Sequence, residues 1–273
     1  MTSSEASLTV YAPNPAARLA NLSVRTALAA GDTLIVGLSV GGGSRGVLVR
    51  AVGPTLGAFG VGGAMTDPRL ELYNGQIRVF ANDDWPQTLS SVFPTVGAFA
   101  LGNGSKDAGF LQTVEGTRSI MAQGTGAGVV LVEAYDTGAP SAARLVNVSA
   151  RNRVGTGDDI LIAGFNISGP AGTAPKPLLI RAVGPGLAAL GVPGTLADPK
   201  LEIFDSGGAK VVENDSWNAS LAAVFSSVGA FALPAVSRDA ALVVSLPPGT
   251  YTAQVSGVGG LTGDAIIEVY ELP

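Results

Sequence analysis

Nearly every segment of the first half of this chain returns, in the same order, in the second half. Arg18-Leu-Ala-Asn-Leu-Ser-Val-Arg25 recurs as Arg144-Leu-Val-Asn-Val-Ser-Ala-Arg151, and Val47-Leu-Val-Arg-Ala-Val-Gly-Pro54 as Leu178-Leu-Ile-Arg-Ala-Val-Gly-Pro185. Asp67-Pro-Arg-Leu-Glu-Leu-Tyr73 pairs with Asp198-Pro-Lys-Leu-Glu-Ile-Phe204, Asn82-Asp-Asp-Trp85 with Asn214-Asp-Ser-Trp217, and Val96-Gly-Ala-Phe-Ala-Leu101 with Val228-Gly-Ala-Phe-Ala-Leu233. Ser105-Lys-Asp-Ala108 matches Ser237-Arg-Asp-Ala240, and each copy closes on Glu-x-Tyr, at Tyr135 and Tyr270. The offset between the copies drifts only slightly, and it drifts in Gly- and Pro-rich stretches. One framework is therefore used twice, with loops of different length.

A repeat of this length is the size of a compact domain, not of a solenoid unit. The sequence predicts an N-terminal extension over 1–17, a first domain over 18–137 and a second over 144–273, with Thr137-Gly-Ala-Pro-Ser-Ala-Ala143 as a short linker.

Within each copy the pattern is of strands. Runs rich in Val, Ile and Leu at 34–40, 46–52, 69–73, 76–80, 110–114, 118–123 and 129–135 are separated by Gly, Asn, Asp and Pro, and 18–25 adds one more. Asn74-Gly75 is a two-residue hairpin signal, with Asp205-Ser-Gly-Gly208 as its looser counterpart, and Pro247-Pro-Gly249 turns into the run at 250–255. The segments 89–93 and 221–225 have a helical look and read as packed loops. The predicted fold is all-β, as two tandem jelly-roll-like β-sandwich domains of about eight strands each.

Composition narrows the chemistry. The 273 residues include no Cys and no His, which removes disulfides, thiolate nucleophiles, Cys/His zinc sites and imidazole-based triads. No lysine recurs in both copies, since Lys106 faces Arg238 and Lys200 faces Arg69. The net charge of −5, with no basic run, argues against a nucleic-acid partner, and no stretch is long and apolar enough for a membrane-spanning helix. Met1-Thr-Ser-Ser-Glu-Ala-Ser does not read as a signal peptide, so compartment has to be argued by resemblance.

Arg50 and Arg181 sit inside apolar strands just before Gly-Pro, where an unpaired charge is costly. Asp107 and Asp239 are their expected partners, in internal ion pairs that fix sheet register. An anion site is the alternative and needs the arginines exposed.

Leu201-Glu-Ile-Phe-Asp-Ser-Gly-Gly-Ala-Lys-Val-Val-Glu-Asn-Asp, followed by Leu246-Pro-Pro-Gly-Thr-Tyr-Thr-Ala-Gln-Val-Ser-Gly, resembles the bacterial pre-peptidase C-terminal domain and its β-sandwich relatives. The first copy carries Leu70-Glu-Leu-Tyr-Asn-Gly and Ala81-Asn-Asp-Asp, but loses the Pro-Pro-Gly-Thr-Tyr element at Glu115-Gly-Thr-Arg118. The whole module also resembles repeats at the ends of very large secreted bacterial proteins. These resemblances imply a secreted or cell-surface protein with a non-catalytic accessory or adhesive role.

Two local groups are candidate binding residues. Asp83, Asp84 and Asp215, with Asn82 and Asn214 beside them, offer hard oxygen ligands for Ca²⁺, although each loop supplies fewer side chains than the six to eight oxygens this ion takes. The competing reading is an Asx turn that ends a strand. Trp85 and Trp217 are candidate stacking platforms for a cell-surface polysaccharide, or else plugs over the end of the core. A carboxylate-pair glycosidase is the surviving enzymatic reading, but its cleft would call for more aromatics than this chain has.

Ser7-Leu-Thr-Val-Tyr11 resembles the closing runs Leu131-Val-Glu-Ala-Tyr135 and Ile267-Glu-Val-Tyr270. It reads as the last strand of a module that is not there. Leu8, Val10 and Tyr11 are accordingly candidate contacts for another copy of the chain, made by strand addition to a sheet edge. The expected function is a non-enzymatic, self-associating structural protein that extends into filaments. The alternative is a carbohydrate- or calcium-dependent surface-binding module.

Overall fold

The computed structural model describes residues 17–273, and its architecture is all-β. In the first repeat the strands are β1 (Arg18–Leu28), β2 (Leu34–Val52), β3 (Pro68–Asn74), β4 (Ile77–Asn82), β5 (Ala108–Gly124) and β6 (Gly128–Asp136). In the second they are β7 (Arg144–Val154), β8 (Leu161–Ser168), β9 (Lys176–Val183), β10 (Pro199–Asp205), β11 (Lys210–Asn214), β12 (Ala240–Leu246), β13 (Gly249–Gly257) and β14 (Gly263–Glu271). Strands β2 and β5 each do the work of two strands in the second repeat. Where β2 passes through Gly41-Gly42-Gly43 with a shift of register, the second repeat has Pro170 and Pro175. Where β5 passes through Gly116, it has Pro247 and Pro248. Proline cannot donate to a ladder, so the same path is cut into β8 and β9, and into β12 and β13.

The ladders do not draw two sandwiches joined at the linker. The first strand of each repeat is hydrogen-bonded into the other: β1 lies between β6 and β8, and β7 lies between β14 and β2. At the first seam Leu22 faces Phe165 and Val24 faces Ala163; at the second Leu38 faces Val148 and Val36 faces Ala150. Both seams carry a bulge at the equivalent residue, Ala20 in β1 and Val146 in β7. All strands thus belong to one connected sheet. One run is β4-β3-β5-β2-β7-β14-β9-β12, the other is β11-β10-β13-β8-β1-β6-β2-β5, and the long strands β2 and β5 belong to both.

The main core follows this topology. Leu22 and Val24 of β1, Val36 and Leu38 of β2, Val148 and Ala150 of β7, and Phe165 of β8 belong to a single buried cluster that spans both repeats. Two smaller clusters, one per repeat, lie over the sheet ends. The first gathers Leu48, Trp85, Leu89 and Phe93, and the second Leu179, Leu187, Phe225 and Leu233.

Two local expectations change. The hairpin between β3 and β4 pairs Asn74 with Ile77, so the turn is Gly75-Gln76, with Gly75 at φ 59°. Glycine at the first turn position is the type II′ pattern, where Asn-Gly alone predicts type I′. The segments 89–93 and 221–225 are not loops: 3-10 turns at Gln87–Ser91, Phe93–Val96 and Ala219–Leu221 and an α-helical turn at Ala222–Ser227 cover them. Apolar residues four apart, Leu89 with Phe93 and Leu221 with Phe225, fall on one side of such a turn and seal the end cluster.

Because the ladders cross the repeats, the chain is expected to unfold in one step. Trp85 reports on the first repeat and Trp217 on the second, so Trp85→Phe and Trp217→Phe variants should give coincident urea transitions by fluorescence. A Cβ on Gly37 in β2 would meet the Ser149 Oγ of β7 at 2.4 Å. Gly37→Val is accordingly expected to lower stability by about 1–3 kcal/mol and to shift both tryptophan signals together.

Candidate functional site

The buried charges lie where the repeat places them. Arg50 and Arg181 are 0 % exposed, and each faces a glutamate directly across a ladder, Glu133 on β6 and Glu268 on β14. Arg50 gives its Nε and Nη2 hydrogens to Glu133 Oε2 at 3.0 and 2.5 Å and its Nη1 hydrogen to the Phe99 carbonyl at 2.5 Å. Arg181 repeats this with Glu268 at 2.9 and 2.5 Å and the Phe231 carbonyl at 2.7 Å. Aromatic faces enclose the guanidiniums: Phe93, Phe99 and Tyr135 at 4.8, 4.5 and 5.9 Å from Arg50, and Phe225, Phe231 and Tyr270 at 4.8, 4.4 and 5.8 Å from Arg181. Such cation–π contacts gain from the absence of water. With the arginines enclosed, the anion-site alternative falls.

The expected partners Asp107 and Asp239 do something else. Asp107 accepts hydrogen bonds from Gly53 N–H at 2.7 Å, from the Thr55 backbone and hydroxyl, and from Ser105 Oγ at 2.6 Å. Asp239 accepts from Gly184 N–H at 2.8 Å, Gly186 N–H at 3.1 Å and Ser237 Oγ at 2.6 Å. These aspartates hold the Gly-Pro turn that follows the arginine strand. A Cβ on Gly53 would sit 2.2 Å from the Met65 carbonyl oxygen, which is why that turn needs glycine. The true counter-ions were legible in the closing Glu-x-Tyr motif, whose tyrosine hydroxyl donates to the other glutamate oxygen, at 2.6 Å for Tyr135 and 2.8 Å for Tyr270. Burial first, then the neighbouring glutamate charge, pushes both phenols well above the ordinary tyrosine range.

The Asn-Asp-x-Trp loops are clips. Asn82 accepts from Gly109 N–H at 2.8 Å and donates to the Asp84 carbonyl, and Asn214 accepts from Ala241 N–H at 3.0 Å and donates to the Ser216 carbonyl. Asp83, Asp84 and Asp215 are exposed, and Lys106 holds Asp84 at 2.8 Å. Among the described residues no three acidic, His or Cys side chains converge as a metal site. Trp85 is 6 % exposed and packs at a tilt against Phe93, so its face is not available to a sugar; Trp217 is half-buried against Phe225. Their indole N–H groups donate to Ser105 and Ser237 at 3.1 Å, extending the aspartate networks. Leu8, Val10 and Tyr11 lie outside the described residues.

Sequence reading gives no sign of a pair of related clefts, one at each seam between the repeats. The larger, about 690 Å³, is lined by Arg144, Asn147, Val228, Tyr270 and Glu271 together with Thr117 of the other repeat. The smaller, about 370 Å³, has the matching residues Arg18, Asn21, Val96, Tyr135 and Asp136 together with Thr250. Under each lies a neutralised acid. Glu271 takes Arg144 at 2.7 Å, Lys176 at 3.5 Å and, across the repeats, the Leu19 N–H at 2.6 Å. Asp136 takes Arg18 at 2.6 Å and the Arg45 Nε hydrogen. Asn21 Oδ1 is the one buried side-chain oxygen or nitrogen without a partner among the described residues. The clefts thus offer amides and hydroxyls beside a carboxylate held by two cationic side chains, a lining suited to hydrogen-bonding a polar ligand.

No protein family model matches the chain, and no curated protein matches it. Among solved structures the chain is similar to the major capsid protein of bacteriophage PM2, with 11 % identity over 94 % of this chain and 98 % of that chain and a TM-score of 0.21. An IolB-like protein of Salmonella typhimurium follows at 8 % identity, 93 % and 84 % coverage and a TM-score of 0.20. A DUF4785 family protein of Legionella pneumophila gives 9 % identity, 97 % and 89 % coverage and a TM-score of 0.20. At these TM-scores the likeness carries no argument about this chain.

Removing one partner of a buried ion pair strands the other charge. Glu133→Ala is expected to cost about 3–5 kcal/mol of unfolding free energy, measured by urea titration, and the double variant Arg50→Met/Glu133→Leu to regain most of it. The raised phenols carry a sign: the folded state keeps protons that the unfolded chain releases near pH 10. Stability is therefore expected to hold up to about pH 10 and to fall above it. Alkaline absorbance titration should show Tyr135 and Tyr270 ionising only as the fold is lost.

Proposed function

We propose that this chain is a non-catalytic structural protein of the cell exterior that associates with copies of itself. In this reading its two repeats are fused jelly-roll-like sandwiches related to the repeats of large secreted bacterial proteins. The observation that carries the proposal is the state of the closing strands. Both β6 and β14 already lie between two hydrogen-bonded neighbours. The segment Ser7–Tyr11, which resembles them in sequence, has no inner place left to fill in the described body. A third closing-type strand is accounted for if it serves a neighbouring molecule. The buried charge supports the same reading, since the arginines, glutamates and aspartates shared by the repeats are tied into the frame.

The seam clefts favour a second reading, a surface-binding module for polysaccharide. The unpartnered Asn21 Oδ1 and the polar lining would serve such a ligand, with the clefts in place of the tryptophans.

Light scattering and electron microscopy of the full chain, with and without residues 1–16, test the first reading. Large assemblies that disappear on deletion are expected, and a monomer in both samples would overturn it. Binding of soluble polysaccharides that is lost in an Asn21→Leu variant would move the conclusion to the second.

A further inference from the structure

Two motifs that recur in both repeats meet at the seam clefts. Arg144 and Asn147 at the start of β7, with Tyr270 and Glu271 at the end of β14, line the larger cleft; Arg18, Asn21, Tyr135 and Asp136 line the smaller. Charge in both is unbalanced in the same direction. Each repeat sets two cationic side chains on one carboxylate, Arg144 and Lys176 on Glu271, and Arg18 and Arg45 on Asp136. In the larger cleft Glu268 is matched one to one by Arg181, and Arg118 on the lining has no carboxylate partner among the described residues. This local excess of positive charge stands in a chain whose net charge is −5.

The hydrogen bonds show where that excess is open. Glu271 is fully engaged, with the Leu19 N–H on Oε1 and both cations on Oε2. Arg144 gives its Nε hydrogen to Glu271 and an Nη1 hydrogen to the Ala142 carbonyl, and its Nη2 hydrogens meet no acceptor among the described residues. Its side chain is 34 % exposed. Arg18 in the smaller cleft is 11 % exposed and gives Nη1 to Asp136 and Nη2 to the Gly138 carbonyl. The accessible cation is therefore in the larger cleft, and a guanidinium with free hydrogens pairs best with an oxyanion.

The rest of that lining calls for hydroxyls. The Ser39 and Thr117 oxygens lie 2.9 Å apart, so one hydroxyl hydrogen joins them and the other is left to donate outward. Asn147 donates to the Val269 carbonyl at 3.1 Å, while its Oδ1 receives no hydrogen bond among the described residues. Gly37 lies across the ladders between Ser149 and Ser119, and with no side chain it leaves the floor between them open. A bare anion would use the arginine and leave these groups unpaired.

We propose that the larger seam cleft binds an acidic polysaccharide, with the carboxylate of a uronic-acid unit on Arg144 and its hydroxyls on Asn147, Ser39 and Thr117. This rests on the surface-binding reading above and names both the cleft and the class of polymer. The smaller cleft has the same plan, but with its arginine shielded it contributes little.

Calorimetric titration of the full chain with polygalacturonate, dextran and polyglutamate tests this. Polygalacturonate is expected to bind, more weakly as salt is raised, and dextran and polyglutamate to bind far less. Arg144→Gln should weaken polygalacturonate about tenfold or more. Thr117→Glu, at an exposed position on the cleft wall, should do the same with the urea midpoint nearly unchanged. Dextran that binds as tightly as polygalacturonate, and is lost in Asn21→Leu, would keep the surface-binding reading and overturn the acidic class. Polyglutamate that binds equally well would reduce the site to bare charge and overturn the polysaccharide. Polygalacturonate binding untouched by both Arg144→Gln and Thr117→Glu would overturn the cleft assignment, and no binding of any polymer would sink the inference together with the reading it rests on.

Discussion

The reciprocal pairing of first strands, β1 with β8 and β7 with β2, is the constraint on which the rest of this structure depends. It places the main core astride the repeats, sets a bulge at Ala20 and Val146, and opens a cleft at each seam. It also fixes which edges remain free, because two strands that would otherwise end a sheet are drawn into the interior. The linker is short, yet it joins β6 to β7 without the two being neighbours. Cohesion between the repeats therefore comes from two full ladders and a shared apolar interior, and not from a docking surface between finished domains.

Buried charge plays a complementary part. An arginine inside a sheet is a poor source of net stability, since desolvation offsets much of the Coulombic gain. Its value here is geometric. Arg50 and Arg181 each join three elements, a central strand, the closing strand and a loop carbonyl, under an aromatic cover, and each leaves few alternative registers open. Asp107 and Asp239 then fasten the turn that follows. In a chain whose strands are rich in Ala, Gly and Val, such polar fixtures specify what small side chains leave loosely defined.

The all-β class and most of the strand positions were legible in the sequence, because alternation and turn residues are local signals. The buried arginines were legible too, since charge inside an apolar run demands a partner. The partner was not, because Glu133 and Asp107 are equally good acids on paper and only the register of β2 against β6 chooses between them. Trp85 and Asn82 illustrate the same limit: a Trp beside acidic residues reads alike as a platform or a plug until burial is known. Strand exchange left no mark at all. Leu22 and Val24 would be core residues against either repeat's second strand, and nothing in their pattern says which one they meet.

That exchange has a consequence for how such a chain can grow. A repeat whose first strand is housed by its neighbour, and which houses the neighbour's in return, is complete only in pairs. Adding a single copy would leave one strand without a host and one groove without a guest. The unit that can be duplicated, inherited or fused to another protein is thus the interlocked couple, and arrays built this way should count their repeats in even numbers.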